Sequence, residues 1–310
     1  MNSNQDEFET VVVSSAGETA SPKSAGGFSD SVIATLLFSI WLLFGGSLLA
    51  GILTTPVILA LGASDRLVFI LNYAAFAGYW ILGLLYLRKA KYRPFLKKLG
   101  AASGNTVGRT LSGALTGFGM NGLCILCAWL HGDIHLRLEP DGIGVLLLLV
   151  VFVCIQSGAE ELICRLFCYQ KLKRRYRSEL VAVIFPALFF AGFHLSNPGV
   201  TALGIFNILL TGLFYGLIIY YFDALWFCIL NHTLWNYTQS ILFGLPNSGI
   251  VSEVSVFRLD ASVATDSFFY SVSFGVESSL MASLVILAAI GLTVVFGRKA
   301  RAERLAAEQG

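Results

Sequence analysis

The sequence predicts an all-α, polytopic membrane protein, a helical bundle of about eight transmembrane helices. Three observations carry that reading. Apolar side chains make up 56% of the 310 residues and charged ones only 13%, whereas a soluble protein averages about 25% charged. The apolar residues fall in runs close to the roughly 20 residues that span a hydrocarbon core. Lys and Arg gather in every second gap between those runs.

The runs cover residues 32–61, 67–87, 110–130, 143–167, 180–195, 201–222, 225–243 and 280–296. The first is long enough to tilt, and Pro56 offers a kink site. The fifth is short and contains Pro186. The gaps after the second and fourth runs, the C-terminal end and Lys23 hold seventeen Lys and Arg, against Arg66, Arg137 and Arg258 in the alternate gaps. Arg165 alone lies inside a run. The positive-inside rule then places both termini in the cytoplasm.

Residues 1–30 are polar and mildly acidic, with Lys23 as their only cation. They read as a disordered cytoplasmic tail, because a secretory signal puts positive charge before a short apolar core. The membrane domain is expected over 31–297, followed by a basic cytoplasmic tail at 298–310. The basic segment at 88–98 reads either as a solvated topogenic loop or as an amphipathic segment on anionic headgroups. The stretch 245–279, rich in Ser and Val, reads as an external loop with some re-entrant structure. No internal repeat stands out, which weighs against a transporter.

Cys124, Cys127, Cys154, Cys164, Cys168 and Cys228 all fall in or beside apolar runs. Their spacing matches neither a disulfide framework nor a zinc cluster, so they read as buried fillers. Nothing in the composition points to a nucleic-acid partner; the expected surroundings are the lipid bilayer.

Three polar islands interrupt the apolar runs. The first is Glu160-Glu161-Leu162-Ile163-Cys164-Arg165. Charged groups at this depth cost roughly 2.5–3.5 kcal/mol each on insertion scales and usually face a protein interior or a wet cavity. Glu161 and Arg165, four apart, share a helix face and can pair. Glu160 is rotated by about 100° and projects elsewhere, which leaves it free to act as a base. The second island is Phe190-Ala191-Gly192-Phe193-His194, where the Phe190 ring can pack beside the imidazole. The third is His232-Thr233-Leu234-Trp235-Asn236. Its imidazole and carboxamide lie four apart and suit an oxyanion, since each can donate a hydrogen bond to developing negative charge.

Each island also has a plainer reading. An intramembrane His or Asn often only bonds a neighbouring helix, for about 0.6 kcal/mol on average, and a Glu–Arg pair can be an interhelical clamp. Together the islands point to a catalytic cavity. Asn121, Gln156 and Asn207 read as structural contacts, and His131 and His135 as loop residues. A non-enzymatic rival, an immunity scaffold or proton-coupled transporter using the Glu/His cluster as a relay, has no need of a fixed carboxamide one turn from the imidazole.

Glu-Glu-x-x-x-Arg at 160–165, Phe-x-x-x-His at 190–194 and His-x-x-x-Asn at 232–236 occur in the order found in one family. Over residues 144–244 the chain resembles the CAAX protease and bacteriocin-processing (CPBP, or Abi) intramembrane proteases, which include the Ras-converting CAAX endopeptidases. Weaker likeness at 243–246 and 274–279 is similar to the bacterial branch. The resemblance implies an intramembrane endopeptidase of a bacterial plasma membrane, acting on a membrane-associated protein or peptide. It implies that Glu160 and His194 activate water, that His232 and Asn236 hold the oxyanion, and that Glu161, Arg165 and Phe190 support the site. A Glu160/His194/His232 zinc set is the alternative. The metal-free reading is favoured, because with zinc Glu161 is tied to Arg165 and no general base remains. The cavity is expected to open to the cytoplasmic half of the membrane. Substrates compatible with the resemblance range from a prenylated CAAX protein to a bacteriocin leader, a signalling pheromone or a membrane-anchored regulator.

Overall fold

The computed structural model describes residues 27–62, 64–100 and 104–309. Most of the expected 1–30 tail lies outside them, but Phe28–Asp30 form a 3-10 turn leading into the first helix. The helices are α1 Val32–Leu61, α2 Asp65–Ala75, α3 Ala77–Leu87, α4 Val107–His131, α5 Ile143–Glu161, α6 Tyr169–Arg175, α7 Glu179–Phe193, α8 Ala202–Phe222, α9 Leu225–Asn236 and α10 Leu280–Gln309. The chain is an all-α membrane bundle. Hydroxyl caps start several of these helices: Ser31, Thr106 and Thr201 each accept a backbone N–H from the first turn of α1, α4 and α8.

Among the described residues, six helical segments are long and apolar enough to cross a bilayer, where the sequence predicts eight. The two that fall short are the ones carrying His194 and His232: α7 has 15 residues and α9 has 12. Helix α7 ends at His194, and the polar Asn231, His232 and Asn236 interrupt the apolar run of α9. The fourth segment is longer than predicted. It continues from α5 through a π-helical stretch, Leu162–Cys168, into α6, so that basic Lys171–Arg175 extend the helix.

Small residues set the closest helix contacts, as is usual where apolar side chains gain little from leaving lipid. A Cβ on Gly113 or Gly117 of α4 would lie 2.5 Å from the Phe227 carbonyl or 2.2 Å from the Asn231 carbonyl of α9. Gly212 of α8 abuts Ala187 of α7 in the same way, at 2.9 Å. These contacts fix α9 and α7, hence His232 and His194, to their neighbours.

The two ends of the bundle differ in charge, as the alternation of basic segments predicts. At one end Lys91 and Arg174 converge on the buried Asp30, at 3.4 and 2.6 Å, and Lys173 and Arg301 share Glu179. At the other end Arg66 and Arg258 share Asp141, at 2.9 and 2.8 Å, and Arg137 pairs with Asp260. Here strands β1 (Leu136–Leu138) and β2 (Phe257–Leu259) form a two-stranded antiparallel ribbon with Arg137 opposite Arg258. The long 243–279 loop folds inward from this end, burying Leu245, Val254, Tyr270 and Phe274.

Candidate active site

The three islands meet in one cavity of about 330 Å³, a size typical of small-ligand sites. Glu160 enters from α5, Phe190 and His194 from the end of α7, and His232 and Asn236 from α9. Two π-helical stretches, Leu162–Cys168 and Tyr237–Leu242, directly follow the Glu160-Glu161 pair and Asn236. Such stretches are uncommon and recur at functional sites.

Glu161 and Arg165 pair as predicted. Both are buried, with Arg165 Nε 3.1 Å from Glu161 Oε2 and Nη1 3.3 Å from Oε1. The guanidinium also donates to the Gly212 carbonyl at 3.1 Å and lies over the Phe190 and Tyr215 rings. Glu161 has a second partner not foreseen from sequence. It accepts the Nδ1 proton of His232 at 3.1 Å, fixing that imidazole's orientation and tautomer. Nε2 of His232 then faces Glu160, 3.8 Å from Oε2. Phe190 touches both imidazoles, with ring centroids 4.9 Å from His194 and 5.8 Å from His232.

Glu160 is oriented by Gln156, one turn earlier on α5, whose amide donates to Oε1 at 2.5 Å. Its other oxygen is buried and makes no hydrogen bond among the described residues. Gln156 is no mere structural contact: its Oε1 accepts from Asn236 at 3.2 Å and from Ser157 at 3.1 Å, so it couples the carboxylate to the carboxamide. Asn207, also read as structural, lines the cavity too. Asn121 fits its structural reading and bonds Gln239 at 2.8 Å.

Glu160 and His194 share the cavity but form no direct hydrogen bond. Nδ1 of His194 donates instead to the Phe190 carbonyl at 2.7 Å, which places the lone pair of a neutral imidazole on Nε2. The cavity also does not open toward the basic segments. Its loop-derived wall consists of Asn197, Asn247, Ser248, Ile250 and Glu277, all from the opposite end. Asn72 and Ile250 are its exposed lining residues. The reason is positional, since α7 starts beside the basic residues and carries His194 at its far end.

A zinc ion needs three protein ligands at about 2.0–2.2 Å. Among the described residues no group of three His, Cys, Asp or Glu is placed to hold an ion, so the Glu160/His194/His232 zinc set is not assembled.

Residues 142–238 match the family model described as type II CAAX prenyl endopeptidase, Rce1-like. The matched segment contains Glu160, Glu161, Arg165, Phe190, His194, His232 and Asn236. Across that segment the chain is similar to the type II CAAX prenyl endopeptidases. No curated protein and no solved structure matches the chain. The matched segment runs from the start of α5 to just past α9, and it contains most of the residues that line the cavity. Glu277, Asn247 and the α2 residues Asn72 and Tyr73 lie outside it. Of the cavity residues missed from sequence, Gln156 had a legible signal, being one helical turn before Glu160. Glu277 stood out only as a lone acid in a stretch of weak family likeness.

Proposed function

We propose that this chain is an intramembrane endopeptidase of the CAAX protease family that hydrolyses a peptide bond in a membrane-associated protein or peptide. The observation that carries the reading is the buried, unbonded Oε2 of Glu160, set in a cavity beside His232 and within the same wall as His194. Water placed between Glu160 and His194 loses its proton to this pair and attacks the scissile carbonyl. The Nε2–H of a doubly protonated His232, held between Glu160 and Glu161, donates to the oxyanion. Asn236 joins it by turning one N–H away from Ser157, a contact of 3.4 Å. The proton then passes to the leaving amine. A relay protein is a poorer match, since Gln156 ties the Asn236 carboxamide to the base.

The direct test compares membrane-bound and secreted peptides from cells carrying the native protein or Glu160→Ala. Cleaved products should vanish in the variant while their precursors accumulate. Identical peptide profiles would remove the peptidase reading.

In this reading both termini and the basic segments face the cytoplasm, which puts the cavity mouth on the outer side. Cys replacing Arg137 or Arg258, in a background lacking the native cysteines, should be labelled by an impermeant reagent from outside. Cys at Lys97 or Arg175 should not. Outside labelling of the latter pair reverses the orientation.

The proposed chemistry needs no metal. Purified protein is expected to contain well under one zinc per chain and to keep its activity in excess chelator. Stoichiometric zinc, with activity lost on chelation and restored by zinc, would instead establish a metalloprotease.

A further inference from the structure

One carboxylate of the cavity has no task in the proposed reaction. Glu277 lies in the 3-10 turn Val276–Ser278 ahead of α10, is buried, and lines the same cavity as Glu160, His194 and His232. It arrives from the long loop rather than from a spanning helix. One of its oxygens accepts the Ser248 backbone N–H. Ser248 sits in a tight turn where Asn247 and Ile250 exchange backbone bonds at 2.9 Å. Burial pushes the Glu277 carboxyl up to about 7, against the opposing effects of its Ser248 bonds, the His232 imidazole and Gln239.

The cavity leaves no cation free for a substrate carboxylate. Its lining holds two carboxylates and two imidazoles, with no Lys or Arg among the described residues. Arg165 is buried against Phe190 and Tyr215 and committed to Glu161 and Gly212. A substrate carboxylate, whether a free C-terminus or an acidic side chain, would enter a low-dielectric space holding other carboxylates, where the His232 imidazolium is already held between Glu160 and Glu161. An ammonium or guanidinium would find Glu277 beside the 247–250 turn.

Resting on the peptidase reading, we propose that the cavity takes a peptide segment with a Lys or Arg close to the scissile bond, and that Glu277 recognises this positive charge. Substrates that place a carboxylate there are rejected.

The test uses three N-acylated twelve-residue peptides that differ only in carrying Lys, Gln or Glu at one position, with that position scanned along the peptide. Binding is measured on purified full-length Glu160→Ala protein in detergent, and cleavage on the native protein by mass spectrometry. At the best register the Lys peptide should bind about tenfold tighter than the Gln peptide, and the Glu peptide should bind weakest. Glu277→Gln keeps an acceptor for the Ser248 N–H and should bring the three within about twofold. Glu277→Asp should retain the order.

Glu277 carries its charge above about pH 7, so the Lys-over-Gln ratio should grow from pH 6 to pH 8. The titratable groups that share the cavity with it are Tyr73 from α2, Glu160 from α5, His194 at the end of α7, Tyr215 from α8 and His232 from α9. Comparing peptides at one pH cancels their effect on the shared chemistry. Equal binding of the three peptides at every register, no binding at all, or a preference untouched by Glu277→Gln would overturn the inference. Cleavage without charge preference overturns it and leaves the peptidase reading standing. A Glu277-dependent binding preference with no cleavage does the reverse.

Discussion

Alanine at Glu160, His194 or His232 is expected to lower peptide cleavage by about 10²–10⁴-fold, the range contributed by positioned acid–base groups, while the protein remains folded. Glu160→Ala removes a carboxylate whose Oε2 is buried and makes no hydrogen bond among the described residues. His194→Ala removes a ring held by the Phe190 carbonyl and by contacts with the Phe190 and Phe193 rings. His232→Ala removes the donor that Glu161 orients, and Glu161 keeps Arg165 as its partner. Asn236→Ala should be milder, at about 10²–10³-fold for one oxyanion donor. Single-turnover cleavage by purified variants, alongside thermal melts in detergent, separates chemistry from folding. Full activity in Glu160→Ala protein would sink the assignment of the base.

Arg165→Ala should act on stability instead. The guanidinium is buried among Glu161, the Gly212 carbonyl and two aromatic rings. Removing it leaves the buried Glu161 carboxylate with His232 as its remaining partner, and breaking such a buried pair costs about 3–5 kcal/mol. That is a large share of a typical stability of about 5–15 kcal/mol, so little folded protein should be recovered. Glu161→Ala leaves the complementary charge unpaired and also frees Nδ1 of His232. It should therefore lose both folded yield and the activity of whatever folds. Folded fraction by size-exclusion chromatography and melting temperature are the readouts. A native-like melt for Arg165→Ala would mean that the pair is not a structural clamp.

The sequence by itself determined the fold class, the alternation of basic and neutral ends, and the three motif islands. Apolar length, Lys/Arg distribution and i,i+4 spacing are local properties, readable without knowing what packs against what. The Glu161–Arg165 pair follows from one helix, so it was legible; so was the resemblance that the family match bears out. Only six of the eight runs form helices long and apolar enough to span among the described residues, because α7 ends at His194 and polar residues interrupt α9.

Tertiary structure alone decided the partners between elements. That Glu161 holds His232, that Gln156 links Glu160 to Asn236, and that His194 bonds its own helix rather than Glu160 depend on how α5, α7 and α9 are rotated. That rotation is set by glycine contacts such as Gly117 on Asn231 and Gly212 on Ala187. The same holds for the direction in which the cavity opens and for the arrival of Glu277. A loop far along the chain folds into the bundle because its backbone finds partners there, Asn207 to the Glu277 and Ser279 carbonyls and Gln239 to the Pro246 carbonyl. Buried backbone polar groups must be paired, and no periodicity in the sequence says with which residue.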